Sequence, residues 1–296
     1  METPPVSADV RLAPSAPEVT PHRDGYVFAP RDVLAAVAAC LDGETPAPLR
    51  LTRAPAEITT EEMRRRTSRI AAFSTAYADQ PNRVHNLRLA CRALNATSLA
   101  PHAEFGFNAA VGARTAERGY LPAKIIADGA FVEGVGGGVC QVSTTLYNAA
   151  MLAGMTQVEV HQHSLSVHYV APSRDAMVSA WSDMRFVNPY DYPVYLYARA
   201  VGGRLTVTVY GAPPEASIAL GTTCLVTAPA RNVDEAGNVL LSTEGYVLVS
   251  AGRDGVSSTL VRTVGMSTHV LRRNTYPEVD AVWRKAPPER PEKGDA

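Results

Sequence analysis

The residues best suited to chemistry lie in one short run, Gly134-Val135-Gly136-Gly137-Gly138-Val139-Cys140-Gln141-Val142-Ser143-Thr144. Val139, Val142, Leu146, Ala149, Ala150 and Ala153 recur at helical spacing, so three consecutive glycines open a helix with Cys140 in its first turn. The first N–H groups of a helix lack internal partners, and its dipole favours negative charge there. A thiol in that field is drawn toward thiolate, the nucleophilic form. Gly136, Gly137 and Gly138 carry no side chains to keep a substrate carbonyl from the backbone, and their N–H groups, with that of Cys140 or Gln141, make a candidate oxyanion hole. The Gln141 amide is a further candidate donor, and Ser143 and Thr144 count with the candidate substrate-binding residues.

A cysteine nucleophile also needs a base. His161 and His163 are two residues apart, so on the strand expected over 157–170 they share a face, and one imidazole could reach Cys140. Asp175 and Asp183 are the candidates to orient that imidazole, and spacing does not choose between them. The reaction class is acyl transfer through a thioester. A metal site competes with this reading: Cys140, His161 and His163 offer one thiolate and two imidazoles, with His168 and His102 as further ligands. A phosphate-loop reading is poor, because GxGxxG, a Lys-Ser/Thr pair and an acidic residue at dinucleotide spacing are all missing. The bland alternative is a tight glycine turn before a helix whose cysteine is inert.

The elements that must position these residues read as follows. Residues 1–24, rich in Pro, Ala and Ser, are expected to be a disordered leader. Residues 25–72 form a small unit. It has strands at Tyr26–Phe28 and Leu49–Thr52, a helix capped by Asp32 that ends at Gly43, and an Arg-rich helix from Thr59 or Thr60 through Arg69. Arg64–Arg66 read as a solvated face. Residues 73–212 hold the candidate site and are expected to form the catalytic domain, with an amphipathic helix over Asn82–Leu94 and a hairpin turning at Asp128-Gly129. Beyond the cysteine helix the chain reads as β. Ala176–Trp181 is a strand, Pro193–Ala200 and Arg204–Tyr210 form a hairpin, and shorter runs lie at Ser217–Leu220, Cys224–Thr227, Val239–Ser242, Tyr246–Ser250 and Thr259–Val264. Residues 213–276 make a β-rich extension and 277–296 a flexible tail. Helices early and strands late give an α+β class with a mixed helix and antiparallel-sheet catalytic domain.

Composition narrows the function classes. Lys+Arg is 28 against Asp+Glu 29, for a net charge of -1 over 296 residues, which argues against a nucleic-acid partner. No run approaches the length of a membrane span, and neither a signal peptide nor an anchor is visible in the chain as given. The four cysteines, Cys40, Cys91, Cys140 and Cys224, lie far apart, so each is expected to be a buried small hydrophobe unless its neighbours say otherwise. No cofactor is expected.

The order Phe105-Gly106-Phe107-Asn108, Val111-Gly112-Ala113-Arg114-Thr115, Arg118-Gly119-Tyr120, then Gly136 through Ala150, resembles the VanW-domain family. His163-Ser164, Arg174-Asp175-Ala176 and Asp183-Met184-Arg185-Phe186-Val187-Asn188 continue the match over roughly residues 82–212. That family is named for a gene of glycopeptide-resistance clusters. The resemblance implies an L,D-transpeptidase making 3-3 cross-links in peptidoglycan, or the matching L,D-carboxypeptidase, with Cys140 as nucleophile and His163, ahead of His161, as its partner. It further implies that Arg114 holds a substrate carboxylate or a structural ion pair, that stem peptides are the partner, and that the protein works in the cell envelope. Residues 25–72 resemble the end of a peptidoglycan-binding module that often precedes the domain. A non-catalytic module binding cell-wall peptides is the alternative from another function class.

Overall fold

A computed structural model describes residues 2–127 and 130–286. The helices are α1 (Pro30–Leu41), α2 (Thr60–Arg66), α3 (Pro81–Leu94), α4 (Phe107–Val111) and α5 (Val139–Leu152). The architecture is α+β, as the element order implied.

The centre of the molecule is α5. All its residues from Val139 to Met151 are buried except Cys140. It rests on an antiparallel sheet in which Ser68–Ala76, Arg204–Gly211, Val194–Val201 and Thr97–Leu99 are successive neighbours. Leu205, Val207 and Val209 alternate inward toward it along their strand. The hairpin between the two central strands turns at Gly202-Gly203, both at positive φ, as a tight twisted turn requires. Beside α5, α3 buries Leu87, Ala90, Cys91 and Leu94 and packs on the Val194–Val201 strand. Each fully buried Leu, Phe or Met in this core contributes about 1.5–3 kcal/mol. Tyr195 faces Tyr210 across the sheet and Tyr197 meets the same ring edge-on, a cross-strand packing that stabilises the hairpin. A second sheet, Thr156–Glu159, Arg185–Val187 and Glu104–Gly106, and the hairpin of Pro122–Ala127 with Ala130–Val135 complete the domain. The expected hairpin turn, Asp128-Gly129, lies outside the described residues.

Several local readings need correction. Residues 9–12 and 17–20 are not a loose leader but a β-hairpin, tied on by bridges from Thr3 to Tyr26 and Val6 to Arg23 and by the bond from Asn95 to the Pro14 carbonyl. Composition cannot reveal such backbone pairing with distant segments. Pro30 opens α1, with Asp32 in the first turn instead of at the cap. The Arg-rich helix is capped by Thr59 and stops at Arg66, because Ser68–Ala76 leaves it to join the central sheet, so the small N-terminal unit ends earlier than 72. The strand expected over 157–170 ends at Glu159, and Ala176–Trp181 is loop, with one isolated bridge from Met177 to His161. Of the cysteines, Cys91 is buried, whereas Cys40 and Cys224 are exposed.

The β-rich extension consists of two sheets. Ile218–Ala228, which merges two expected strands, pairs with Gly255–Val264, and that strand pairs with Ser267–Tyr276. Ala281–Lys285, expected to be flexible, pairs parallel to Asn232–Asp234 and antiparallel to Tyr246–Ser250. Val239–Ser242 is not a strand; Val239 makes an isolated bridge to Val233. Residues 287–296 of the expected tail lie outside the described residues. No helix among the described residues is long and apolar enough to cross a membrane.

Candidate active site

The glycine loop is built to seat the helix. A Cβ on Gly137 would lie 2.5 Å from the carbonyl carbon and oxygen of Ala123, so this glycine lets the loop press against the neighbouring strand. Gly138, at the helix N-cap, has φ +106, a conformation L side chains rarely adopt. Asn86 on α3 fixes the loop from behind, with Nδ2 donating to the Gly137 carbonyl at 3.0 Å and the Leu121 carbonyl at 2.8 Å. Gly137 therefore serves packing against protein, while Gly136 and Gly138 line the cavity beside Cys140. Of the N–H groups that open the helix, those of Gly138 and Cys140 donate to no backbone carbonyl among the described residues.

Cys140 is half-buried, and its Sγ donates to the Val178 carbonyl at 3.4 Å. Its ionisation partner is His163. Burial pushes the Cys140 thiol up, but the hydrogen bond and charge of His163, with the charge of Arg114, outweigh burial and hold the thiol below its ordinary value. Burial alone would lower His163, yet its bonds to Asp175 and Cys140, and their charges, lift it to about 9. Asp175 is pushed up by burial and pulled further down by the His163 bond and charge. The set thus favours thiolate, imidazolium and carboxylate together.

His163 is held through both its ring and its backbone. Its Nδ1 lies 2.8 Å from Asp175 Oδ2, which also accepts the His163 backbone N–H at 2.7 Å. With Nδ1 turned to the carboxylate, Nε2 is the nitrogen left for the sulfur. Asp175 sits on a loop that α5 holds in place. Ser143 Oγ donates to the Ala176 carbonyl at 2.6 Å, Thr144 Oγ1 accepts the Ala176 N–H at 2.9 Å, and Asn148 Nδ2 donates to the Arg174 carbonyl at 2.8 Å. This is why so polar a helix can be buried: each of these side chains finds a partner in the loop.

The structure brings Cys140, His163 and Asp175 together and separates other candidates from them. Asp183 accepts the backbone N–H groups of Asn108 and Met184, which places it at the start of α4 instead of behind the imidazole. His161 turns outward to Glu159, 2.8 Å away, because the strand ends before it and the shared face is lost. That geometry also parts the proposed metal ligands, and no group of three or more His, Cys, Asp or Glu among the described residues could hold a metal ion. Ser143 and Thr144 are fully buried under the Asp175 loop and are not among the residues lining the cavity beside Cys140. Gln141 is buried too. Its Nε2 donates to Thr75 Oγ1 and the Ala76 carbonyl, and its Oε1 accepts from Arg83, so it anchors the central sheet and donates nothing to a ligand. Arg114 is in no ion pair among the described residues, and it lines the cavity beside Cys140. It donates to Asn108 Oδ1 and the Ser179 carbonyl, steadying the loop that follows Val178.

Sulfur and imidazole open into a cavity of about 680 Å³. Its walls carry Arg83, Arg114, Lys124 and Arg253 and no Asp or Glu among the described residues, alongside apolar Ile125, Val167 and Met177. Arg83, Lys124 and Arg253 were not singled out from sequence. Arg83 occupies the first turn of an otherwise ordinary amphipathic helix, and only its burial at the cavity wall marks it. Tyr169, another wall residue, keeps its phenol protonated, pushed well up by burial and by the nearby Cys140.

The site is thus a thiol at the mouth of a buried helix, backed by His163 and Asp175, in an α+β domain. Residues 82–210 match the model of the family described as VanW like protein, the family the motifs resemble. The "Uncharacterized protein YoaR" of Bacillus subtilis (strain 168) is 42% identical over 147 residues, covering 49% of this chain and 48% of that protein. The chain therefore spans about half the length of this curated relative. A solved structure, "Crystal structure of HP0197-G5", matches 25% of this chain and 100% of its own at 15% identity, with a TM-score of 0.14, too slight a likeness to bear on the fold. Cys140, His163 and Asp175 all lie inside the family segment.

Proposed function

We propose that the protein is a cysteine-dependent acyl-transfer enzyme acting on peptidoglycan stem peptides, as an L,D-transpeptidase forming 3-3 cross-links or as the matching L,D-carboxypeptidase. The observation that carries this reading is the buried Asp175–His163–Cys140 chain opening into a cation-walled cavity. Stem peptides are rich in carboxylates, and a cavity wall with four cationic side chains and no acidic one suits them.

In the proposed reaction the Cys140 thiolate attacks the carbonyl of the diamino-acid residue. The tetrahedral oxyanion is met by the N–H groups of Gly138 and Cys140, reinforced by the dipole of α5. The His163 imidazolium gives its proton to the departing D-amino acid as the C–N bond breaks, leaving a thioester and a neutral imidazole. An amine from a second stem then attacks the thioester, His163 takes its proton, and the thiolate leaves. If water attacks instead, the product is a trimmed stem. Asp175 stays ionised throughout and steadies the imidazolium. A peptidoglycan substrate places the working site in the cell envelope.

The test is Cys140→Ala with disaccharide-tetrapeptides as substrate. Dimer and trimmed products should fall by roughly 10³-fold or more, as removal of a nucleophile does. The wild-type protein should form a covalent adduct at Cys140 with a carbapenem, seen by mass spectrometry. Product formation persisting in the variant refutes the mechanism. Muropeptide binding by both proteins, with no adduct and no turnover in either, would make the protein a binding module.

A further inference from the structure

The family segment ends at residue 210, yet the carboxylate behind His163 is held from beyond it. Tyr276, the last residue of the strand Ser267–Tyr276, is 1% exposed and its hydroxyl meets Asp175 Oδ1. The hydroxyl oxygen also accepts the Ser173 N–H at 3.0 Å. A phenol has one proton, and a neighbour that donates to its oxygen leaves that proton for the other side, so Tyr276 is the donor to Asp175. Burial, and the charge of Asp175, push the Tyr276 phenol well up, so it keeps this proton across the working range.

Further contacts from the extension reach Asp175 and Ser173. Arg272 Nη1 donates to the Asp175 carbonyl, and Ser258 Oγ lies 2.7 Å from Ser173 Oγ. Ser173 has φ +66, a left-handed conformation rare for a non-glycine residue and held only where the surroundings enforce it. Arg272 and Ser258 touch backbone and loop, as any packed strand might. Tyr276 differs, because it binds the carboxylate itself. Asp175 Oδ2 is already committed to His163, so Tyr276 fills the one oxygen that would otherwise be free to swing.

We propose that Tyr276 is a positioning residue of the Cys140–His163–Asp175 site, and that the C-terminal β-extension is thereby a working part of it. The proposal rests on the reading of those three residues as the reacting set. Tyr276 acts by locking the carboxylate so that His163 Nε2 stays aimed at the sulfur.

The experiment measures the rate of Cys140 alkylation by iodoacetamide against pH in the full chain. The Cys140 peptide is followed by mass spectrometry, because Cys40 and Cys224 are exposed and also react. Tyr276→Phe keeps the ring and removes the donor. Its acid limb should move to higher pH by about one unit, a roughly tenfold slower reaction on that limb, while the alkaline plateau is unchanged. Arg272→Met, which loses the contacts to the Asp175 carbonyl and the Tyr147 ring but none to the Asp175 carboxylate, should lower the melting temperature and leave the limb in place. A wild-type limb in folded Tyr276→Phe overturns the proposal. If that variant does not fold, Ser258→Ala is read in its place, since it loosens the Ser173 amide that seats the Tyr276 oxygen: a limb moved the same way supports the proposal, and an unmoved one overturns it. His163→Gln separates the two levels. If its limb also stays at the wild-type position, the reacting set itself is wrong; if it moves and Tyr276→Phe does not, the role of Tyr276 alone falls.

Discussion

Asp175→Asn is the perturbation that most directly tests which carboxylate serves the site. The side chain is 1% exposed and accepts from the His163 N–H, the His163 ring and the Tyr276 hydroxyl. An asparagine of the same shape has no charge, and its NH₂ group would face donors. The imidazolium then loses its buried counter-charge, and breaking such a buried pair costs about 3–5 kcal/mol. In a chain of this size that corresponds to a fall of roughly 10 °C in melting temperature. Reactivity should drop further, because the amide also favours the wrong imidazole tautomer, and a loss of about 10³- to 10⁴-fold is expected. The assay is the rate of carbapenem acylation at Cys140 near neutral pH, with thermal unfolding in parallel. Asp183→Asn is the comparator. Its carboxylate caps the start of α4 and touches no imidazole, so it should cost stability of about 1–3 kcal/mol and leave the acylation rate within a few-fold. Equal rate losses in the two variants, or a larger one at Asp183, would refute the assignment.

Two further outcomes follow from the geometry. His163, raised to about 9, carries its proton in the folded protein above the ordinary imidazole range, so its stabilising contribution is complete below about 6.5 and is lost as pH rises through about 9; stability and stem-peptide turnover should decline together across that interval, and a turnover profile still rising there would contradict the imidazolium as the acid. Thr144→Val removes the acceptor of the buried Ala176 N–H and should destabilise by about 1–3 kcal/mol, with KM for stem peptides unchanged, because the residue faces the Asp175 loop and not the cavity; a raised KM with normal stability would restore it as a substrate contact.

Much of the framework is legible in the sequence where a local rule applies. The apolar spacing of α5 and α3, and the Gly202-Gly203 turn, announce their elements, and helix-end physics singles out Cys140 before any fold is known. The reading fails where the deciding partner is distant. His161 and His163 look equivalent by spacing, but the strand stops at Glu159, and past that point alternation no longer dictates direction. The polar side chains of α5 read as substrate contacts because nothing local shows that residues 173–176 will fold over them. Asp175 and Asp183 are indistinguishable until the chain closes, and Tyr276 lies 101 residues from the carboxylate it binds. The hairpin within residues 9–20 pairs locally, but its strands are only four residues each in a Pro-, Ala- and Ser-rich stretch, and what seats it, the Asn95 bond to the Pro14 carbonyl, is distant.

The strand Ser68–Ala76 precedes the family-matched segment, yet it flanks Arg204–Gly211 along nearly its whole length and receives the amide of Gln141 through Thr75 and Ala76. Excising residues 82–210 would therefore strip one rail from the central ladder and leave a row of backbone donors and acceptors unpaired along an apolar strand. Such an open edge recruits other chains. The excised piece should be sticky in solution and loosely held at the first turn of its central helix. The boundary that sequence similarity draws and the boundary that folding requires are different lines in this protein.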